Sequence, residues 1–190
     1  MTKLPIFQDS IILDSLNNKE VDKKILEVLD KEMELNPGVT ISNAGGYQTD
    51  SVYDPIICDA IFEKSVDLIL KNYKFEKYNF KLGNLWINSN QQGDFNKAHN
   101  HPYSHFSGVY YLQVQNDGGQ LVFYRGDTSN QMMGIQYFLD SADTRPNFEI
   151  QPLSNQIIIF PSHLMHSVHP HKSNEPRVSV SFNLIMMAVE

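Results

Sequence analysis

His99-Asn100-His101-Pro102-Tyr103-Ser104-His105 runs without a break into Phe106-Ser107-Gly108-Val109-Tyr110-Tyr111-Leu112, and this junction decides the fold. The chain contains seven histidines, and none precedes His99. Three stand in this stretch and four in a second, Pro161-Ser162-His163-Leu164-Met165-His166-Ser167-Val168-His169-Pro170-His171. Two histidine-rich segments, each beside apolar strand-like sequence, point to one metal site assembled from both. In an extended chain the side chains at i and i+2 share a face, so His99 and His101 can grip one ion. Neutral imidazole is the commonest metal ligand among side chains that titrate near neutrality.

In the second stretch, Ile157-Ile158-Ile159-Phe160 reads as a buried strand that Pro161 ends. The chain turns through Ser162–Met165 and resumes as a strand at His166, which makes His166 the distal ligand. His163 falls in the turn, and His169 and His171 lead into a polar Lys-Ser-Asn-Glu loop, so these three read as exposed loop histidines.

Around these segments, from Asn79 onward, short apolar or alternating runs are punctuated by Asn, Gly, Asp and Pro, the pattern of an all-β region. The expected strands are Phe80–Asn88, Lys97–His101, Phe106–Val114, Gln120–Tyr124, Phe148–Ile150, Ile157–Phe160 and Arg177–Met186. Asn116-Asp117-Gly118-Gly119 predicts a tight hairpin turn. Gly126–Pro146 is the least patterned stretch and reads as a long loop. Upstream, Pro5 to Leu13 reads as an early strand. Asn17, with Glu20 three residues later, has the capping-box spacing for a helix carrying Val21, Ile25, Val28, Leu29 and Met33 at helical intervals. Ser42-Asn43-Ala44-Gly45-Gly46-Tyr47-Gln48-Thr49 reads as loop, and Asp54-Pro55 opens a second helix as cap and first residue. The expected class is mainly β with N-terminal helices (α+β). One domain spans 1–190: a helical support over 1–78, and over 79–190 a β-sandwich or barrel on which the two helices pack.

Composition sets the outer bounds. At 190 residues the chain is long enough for one domain with a substantial core, and 41% hydrophobic and 11% aromatic residues are ordinary for a globular protein. A net charge of −7 and a pI near 5.4 argue against electrostatic capture of nucleic acid or an anionic membrane. Cys58 is the single cysteine, which excludes an internal disulfide and a cysteine-based zinc site. The N-terminus shows no signal-peptide run and no stretch has the length of a membrane span, so the expected compartment is the cytoplasm.

The last strand alternates strictly. Val178, Val180, Phe182 and Leu184 form one face, and Arg177, Ser179, Ser181 and Asn183 form the other. The polar face either meets water or lines the interior of a barrel that holds a polar ligand. Arginine offers a planar fork that suits a carboxylate, so Arg177 is a natural anion anchor in the second case.

Several segments, taken in order and spacing, carry a resemblance: Ser42-Asn43-Ala44-Gly45-Gly46, Trp86-Ile87-Asn88, His99-Asn100-His101-Pro102, Ser107-Gly108-Val109-Tyr110-Tyr111, Gly119-Gln120-Leu121-Val122-Phe123, Phe160-Pro161-Ser162, His166-Ser167-Val168 and Arg177-Val178-Ser179-Val180-Ser181-Phe182-Asn183. Through them the sequence resembles the Fe(II)- and 2-oxoglutarate-dependent oxygenases of the prolyl-hydroxylase-like kind, within their bacterial and phage branch. The resemblance implies a double-stranded β-helix (a jelly-roll, cupin-like barrel), with Fe(II) and O2 as reactants and 2-oxoglutarate as co-substrate. It implies that His99, His101 and His166 hold iron, and that Arg177 takes the distal carboxylate of 2-oxoglutarate. Tyr111, Ser107 and Asn88 would complete the co-substrate pocket. A prolyl or other protein residue is the implied class of prime substrate, and neither nucleic acid nor a membrane is an expected partner.

One position departs from the superfamily pattern. The usual motif is His-x-Asp with a distal His, and here a histidine stands at 101 in place of the carboxylate. The site therefore uses three histidines or draws a carboxylate from elsewhere, with Asp94 the nearest candidate. A cupin-like three-histidine dioxygenase without 2-oxoglutarate and a non-catalytic metal-binding barrel are the rival readings, and Arg177 speaks against the first.

Overall fold

The computed structural model describes residues 9–75, 77–126 and 145–189. The start of the expected first strand and nearly all of the expected loop Gly126–Pro146 lie outside the described residues.

The chain opens with β1 (Ile12–Ser15) and α1 (Lys19–Leu35). The helix cap is Asn18, one residue later than the capping-box spacing suggests: its Oδ1 accepts from the Glu20 and Val21 backbone N–H at 3.1 and 3.3 Å. Asn17 instead makes the left-handed turn between strand and helix, at φ +50, a conformation asparagine tolerates better than most residues. The segment expected to be loop carries two short strands, β2 (Asn43–Ala44) and β3 (Tyr47–Gln48), joined through Gly45 and Gly46 at φ +75 and +68. Loop-type residues form strand there because β2 and β3 pair with strands far along the chain. In α2 (Pro55–Asn72) Asp54 caps as expected, accepting from the Ile56 and Ile57 N–H.

Among the described residues eight strands follow: β4 (Tyr78–Asn90), β5 (Phe95–His99), β6 (Phe106–Gln113), β7 (Leu121–Tyr124), β8 (Asn147–Ile150), β9 (Gln156–Pro161), β10 (His166–Val168) and β11 (Arg177–Ala188). They form two antiparallel sheets, one in the order β1-β9-β6-β11-β4-β3 and the other β2-β5-β10-β7-β8. Because β4, β6, β9 and β11 belong to the first sheet and β5, β7, β8 and β10 to the second, the chain shuttles between sheets and winds a double-stranded β-helix. The hairpin expected at Asn116–Gly119 is absent for this reason: the turn carries the chain from β6 in one sheet to β7 in the other. Three N-terminal strands add to the edges of these sheets, so the first 78 residues supply β-structure as well as helices.

Packing explains which face of β11 is which. Val21, Ile25, Ile57 and Ile61 of the helices cluster with Val178, Val180, Phe182 and Leu184 on the outer face of the six-stranded sheet. At roughly 1.5–3 kcal/mol per fully buried aliphatic side chain, this layer is a major source of stability. A smaller cluster, Val109, Tyr111, Leu121, Phe123, Ile150, Ile158 and Phe160, fills one end of the space between the sheets. The Phe182 ring lies so close to Gly108 that a Cβ there would stand 2.2 Å from it, which is why a glycine interrupts β6. Among the described residues no helix is long and apolar enough to cross a membrane.

Candidate metal centre and adjoining cavities

The polar face of β11 points between the sheets, where register sets it beside polar residues of its neighbours. Arg177 pairs with Asn90; Ser179 lies between Asn88 and Tyr111; Ser181 lies between Trp86 and Val109; Asn183 lies between Asn84 and Ser107. The strand therefore has no water-facing side over this length, and of the two readings of its alternation the ligand-lining one fits the geometry.

The three histidines come from the opposite sheet. His99 ends β5 and His166 begins β10, and the two are direct antiparallel partners. His101 follows the end of its strand rather than lying within it, yet its ring still meets that of His99 at a centroid distance of 5.1 Å. One candidate ligand atom from each of His99, His101 and His166 lies within 4.8 Å of the other two. His99 Nδ1 is 2.7 Å from the Lys97 carbonyl and His166 Nδ1 is 2.9 Å from the Leu164 carbonyl. A carbonyl only accepts, so each Nδ1 carries the proton and each Nε2 presents a lone pair. Burial pushes the His101 pKa down to about 4 and that of His166 to about 3, helped in both by the neighbouring His99. Burial lowers His99 as well, against the opposing pull of its bond to the Lys97 carbonyl. At neutral pH all three rings are uncharged, the form that binds a metal.

Asp94 does not join them. Its Oδ2 accepts from the Gln91 backbone N–H at 2.6 Å, and its carboxylate packs against Gly45 and Gly46. Among the described residues the group with metal-ligand spacing holds histidines alone. His163 is exposed and 3.2 Å from Asp9, as expected of a loop residue. His171 differs from expectation: it is 1% exposed, with Nε2 donating to the Glu175 carbonyl at 2.6 Å. The polar loop folds back on it, and loop composition alone carries no sign of that.

A cavity opens from the histidines toward Arg177, lined among others by Asn88, Tyr111, Ser179 and Ser181. Arg177 is 2% exposed. Its Nη1 donates to the Gly118 carbonyl at 2.5 Å and its Nη2 to Asn90 Oδ1 at 3.0 Å, while Nε has no partner among the described residues. No described carboxylate forms an ion pair with it, and burial lowers its pKa from the usual arginine value. A buried cation held only by neutral acceptors is costly until an anion joins it. The Tyr111 hydroxyl also lacks a hydrogen-bond partner among the described residues, and burial raises its pKa, so it stays a neutral donor. Three neutral imidazole donors at one end and a guanidinium at the other suit a divalent metal and a dicarboxylate. Asn88 lines the cavity and donates to Ser181 Oγ at 3.1 Å. Ser107 does not line it: its hydroxyl is 2.7 Å from both Ser162 Oγ and Asn183 Oδ1 in the protein interior.

A second cleft of about 450 Å3 meets the histidines from the other side and shares Ser42, Trp86, His99 and His101 with the first cavity. Trp86 stands in the wall of both, stacked on His101 at 5.9 Å between ring centroids. Sequence reasoning misses Trp86, Asn90 and Gln48 as site residues. The available signal was the alternation Asn84, Trp86, Asn88, Asn90, four polar or amphipathic side chains on one face of β4.

The fold is shared with solved structures of low sequence identity. A prolyl-4-hydroxylase from Pseudomonas putida aligns with a TM-score of 0.61 at 16% identity, covering 93% of this chain and 92% of that one. A viral collagen prolyl hydroxylase from Paramecium Bursaria Chlorella virus-1, in complex with 2-oxoglutarate, aligns with a TM-score of 0.60 at 15% identity, over 93% of this chain and 94% of that one. A prolyl hydroxylase from Trichoplax adhaerens, in complex with a hypoxia-inducible-factor peptide, aligns at 0.61 and 16% identity, over 92% and 83%. No curated protein sequence matches the chain. The family described as "Putative 2OG-Fe(II) oxygenase" matches residues 84–183, more than half of the chain and the whole span that holds His99, His101, His166 and Arg177, and the chain belongs to that family.

Proposed function

We propose that this protein is a dioxygenase that uses Fe(II), O2 and 2-oxoglutarate to hydroxylate a second substrate. The carrying observation is Arg177, a buried guanidinium with no contact ion pair among the described residues and only the longer-range pull of Asp94, in the same cavity as three convergent neutral histidines. His99, His101 and His166 would hold the metal, with Nδ1–H bonds to backbone carbonyls fixing the rings of His99 and His166. Arg177 and the Tyr111 hydroxyl bind the distal carboxylate of 2-oxoglutarate, and Asn88 and Ser179 line its flank. Bound iron supplies the redox chemistry by which O2 converts 2-oxoglutarate to succinate and CO2 while the prime substrate gains a hydroxyl. The protein's own part is to orient both substrates and to keep water from the reacting centre.

Ser107 leaves the co-substrate set and takes a supporting role, because its hydroxyl is already engaged by Ser162 and Asn183. The peptide-bound Trichoplax neighbour supports a protein residue, such as a proline, as prime substrate. The lone, part-buried cysteine suits a reducing compartment such as the cytoplasm. A second reading, a cupin-like dioxygenase without 2-oxoglutarate, draws on the histidine at 101, but it leaves the buried Arg177 unemployed. Anaerobic reconstitution with Fe(II), followed by exposure to O2, decides between them. The proposal requires iron-dependent succinate from 2-oxoglutarate, greatly reduced in Arg177→Ala; iron binding without succinate contradicts it.

A further inference from the structure

The second cleft differs in chemistry from the first cavity. Among the described residues, Asp50 and Lys97 are its only ionisable lining residues apart from the histidines, one of each sign. A phosphate or polyanion would meet a single lysine, and a polycation a single aspartate. The other polar groups are neutral; four of them are side-chain amides, those of Gln48, Asn84, Asn100 and Asn183, and the Asn183 amide is committed to Ser107 and Asn84.

Gln48 is 5% exposed and lines the cleft, yet its side-chain amide has no hydrogen-bond partner among the described residues. Its register explains its place: Gln48 of β3 pairs with Asn88, Asn88 with Ser179 and Ser179 with Tyr111, so one row runs from this cleft into the co-substrate cavity. The amide opens into the cleft, so a ligand that seats there can take up its donor and acceptor in place of water.

Asn84 is the second amide, and the interior fixes how it faces. The Ser107 hydroxyl donates to Asn183 Oδ1 at 2.7 Å, so its only proton is committed and Ser162 must donate to it. Asn183 Nδ2 then donates to Asn84 Oδ1 at 2.8 Å. This buried relay of Ser162, Ser107 and Asn183 takes one lone pair of the Asn84 carbonyl oxygen and fixes the amide with its oxygen toward Asn183. The Asn84 Nδ2 makes no hydrogen bond among the described residues, and Asn84 itself is exposed at the cleft wall.

We propose that Gln48 and Asn84 are specificity-determining residues that read a neutral amide group of the prime substrate. This rests on the oxygenase reading, and it adds the chemistry of the group that must dock beside the histidines. Asn84 offers its unpaired N–H donors, and Gln48 offers a donor and an acceptor in one plane. A planar amide, with its own fixed donor and acceptor, complements both. A carboxylate, which only accepts, can use the N–H donors but leaves the Gln48 oxygen unmatched. The amide can belong to a polypeptide or to a small carboxamide, and the two sources are separable by affinity.

The test uses the full chain loaded with Zn(II) and 2-oxoglutarate, so that no turnover occurs, and follows the side-chain NH2 signals of Gln48 and Asn84 by NMR. Trp86 is the only tryptophan, so its single indole N–H signal reports the shared wall. The probes are a capped tri-alanine peptide, N-methylacetamide, acetate and methyl glucoside. The proposal expects both amide probes to shift all three signals. Gln48→Met and the exposed-site variant Asn84→Asp should each weaken the peptide about tenfold, the worth of a lost hydrogen bond, with zinc and 2-oxoglutarate binding unchanged. Peptide binding at least tenfold tighter than N-methylacetamide assigns the source to polypeptide; equal binding assigns it to a small carboxamide. Larger shifts from acetate or methyl glucoside, no shift from any probe, or unchanged peptide affinity in both variants would overturn it. Failure of 2-oxoglutarate to bind the wild type would instead count against the oxygenase reading, which these amides do not carry.

Discussion

His101 Nε2 and His166 Nε2 face each other across 3.3 Å, with the two imidazole planes only 3° from parallel. The His166 Nδ1–H is committed to the Leu164 carbonyl, so its Nε2 has only a lone pair to offer. Protonating the pair is a poor way to satisfy it, because burial holds both rings well below the usual histidine pKa. A cation that accepts both lone pairs satisfies it directly, and His99 stands close enough to add a third.

These shifts have a consequence for the metal-free protein. An unfolded histidine titrates near 6.5, and folded His101 and His166 titrate at about 4 and about 3. Below about pH 6.5 the unfolded chain therefore binds more protons than the folded one, and stability falls as pH drops from there toward about 4. Metal-free wild type should lose more Tm between pH 7 and pH 5 than the double variant His101→Gln/His166→Gln, in thermal melts over that range. Equal losses would mean that these rings are not held neutral by burial.

Arg177→Ala should weaken 2-oxoglutarate by about 2–5 kcal/mol, the usual cost of removing one partner of a buried charge pair, with metal stoichiometry intact. Arg177→Lys should recover only part of the loss, since an ammonium lacks the planar fork. Tyr111→Phe should cost about 1 kcal/mol, one hydrogen bond. Calorimetric titration of the Zn(II) form measures all three, and unchanged affinity in Arg177→Ala would remove Arg177 from the co-substrate site.

Ser107→Ala separates support from contact. Its hydroxyl links Ser162 to Asn183 without lining the co-substrate cavity. The variant should lose about 1–3 kcal/mol of stability through the buried groups left unmatched, while its affinity for 2-oxoglutarate stays within about twofold of wild type. Urea denaturation and the same calorimetry check the two halves, and a large loss of co-substrate affinity at unchanged stability would restore Ser107 to the pocket.

How far the sequence speaks depends on the range of the interaction. The alternation of β11 announced both the helix-facing side through Val178, Val180, Phe182 and Leu184 and the polar lane through Arg177. Local capping chemistry placed α2 correctly and missed α1 by one residue, because Asn17 and Asn18 are chemically equal and only the turn out of β1 decides between them. The strands β2 and β3 were illegible, since Asn43 and Gln48 are drawn into sheets by partners far along the chain. The same holds for the site. Histidine spacing brought His99, His101 and His166 forward together. The role of Ser107 depended on Ser162 and Asn183, and Gln48 on its register with Asn88, relations that no local pattern displays.

The histidine at position 101 sets the electrostatics of the whole proposal. Two histidines and a carboxylate around a divalent ion leave a net charge of about +1, and three neutral histidines leave about +2. A dianionic co-substrate then brings the complex to neutrality, which favours its binding. Iron content after anaerobic loading and dialysis, compared across wild type, His101→Asp, His101→Ala and His166→Ala, tests the three-histidine centre most directly. About one iron per chain in wild type and His101→Asp is the expected result, with most of it lost from His101→Ala and His166→Ala. Wild-type iron content in His101→Ala would contradict the account, because His101 would then be no ligand at all.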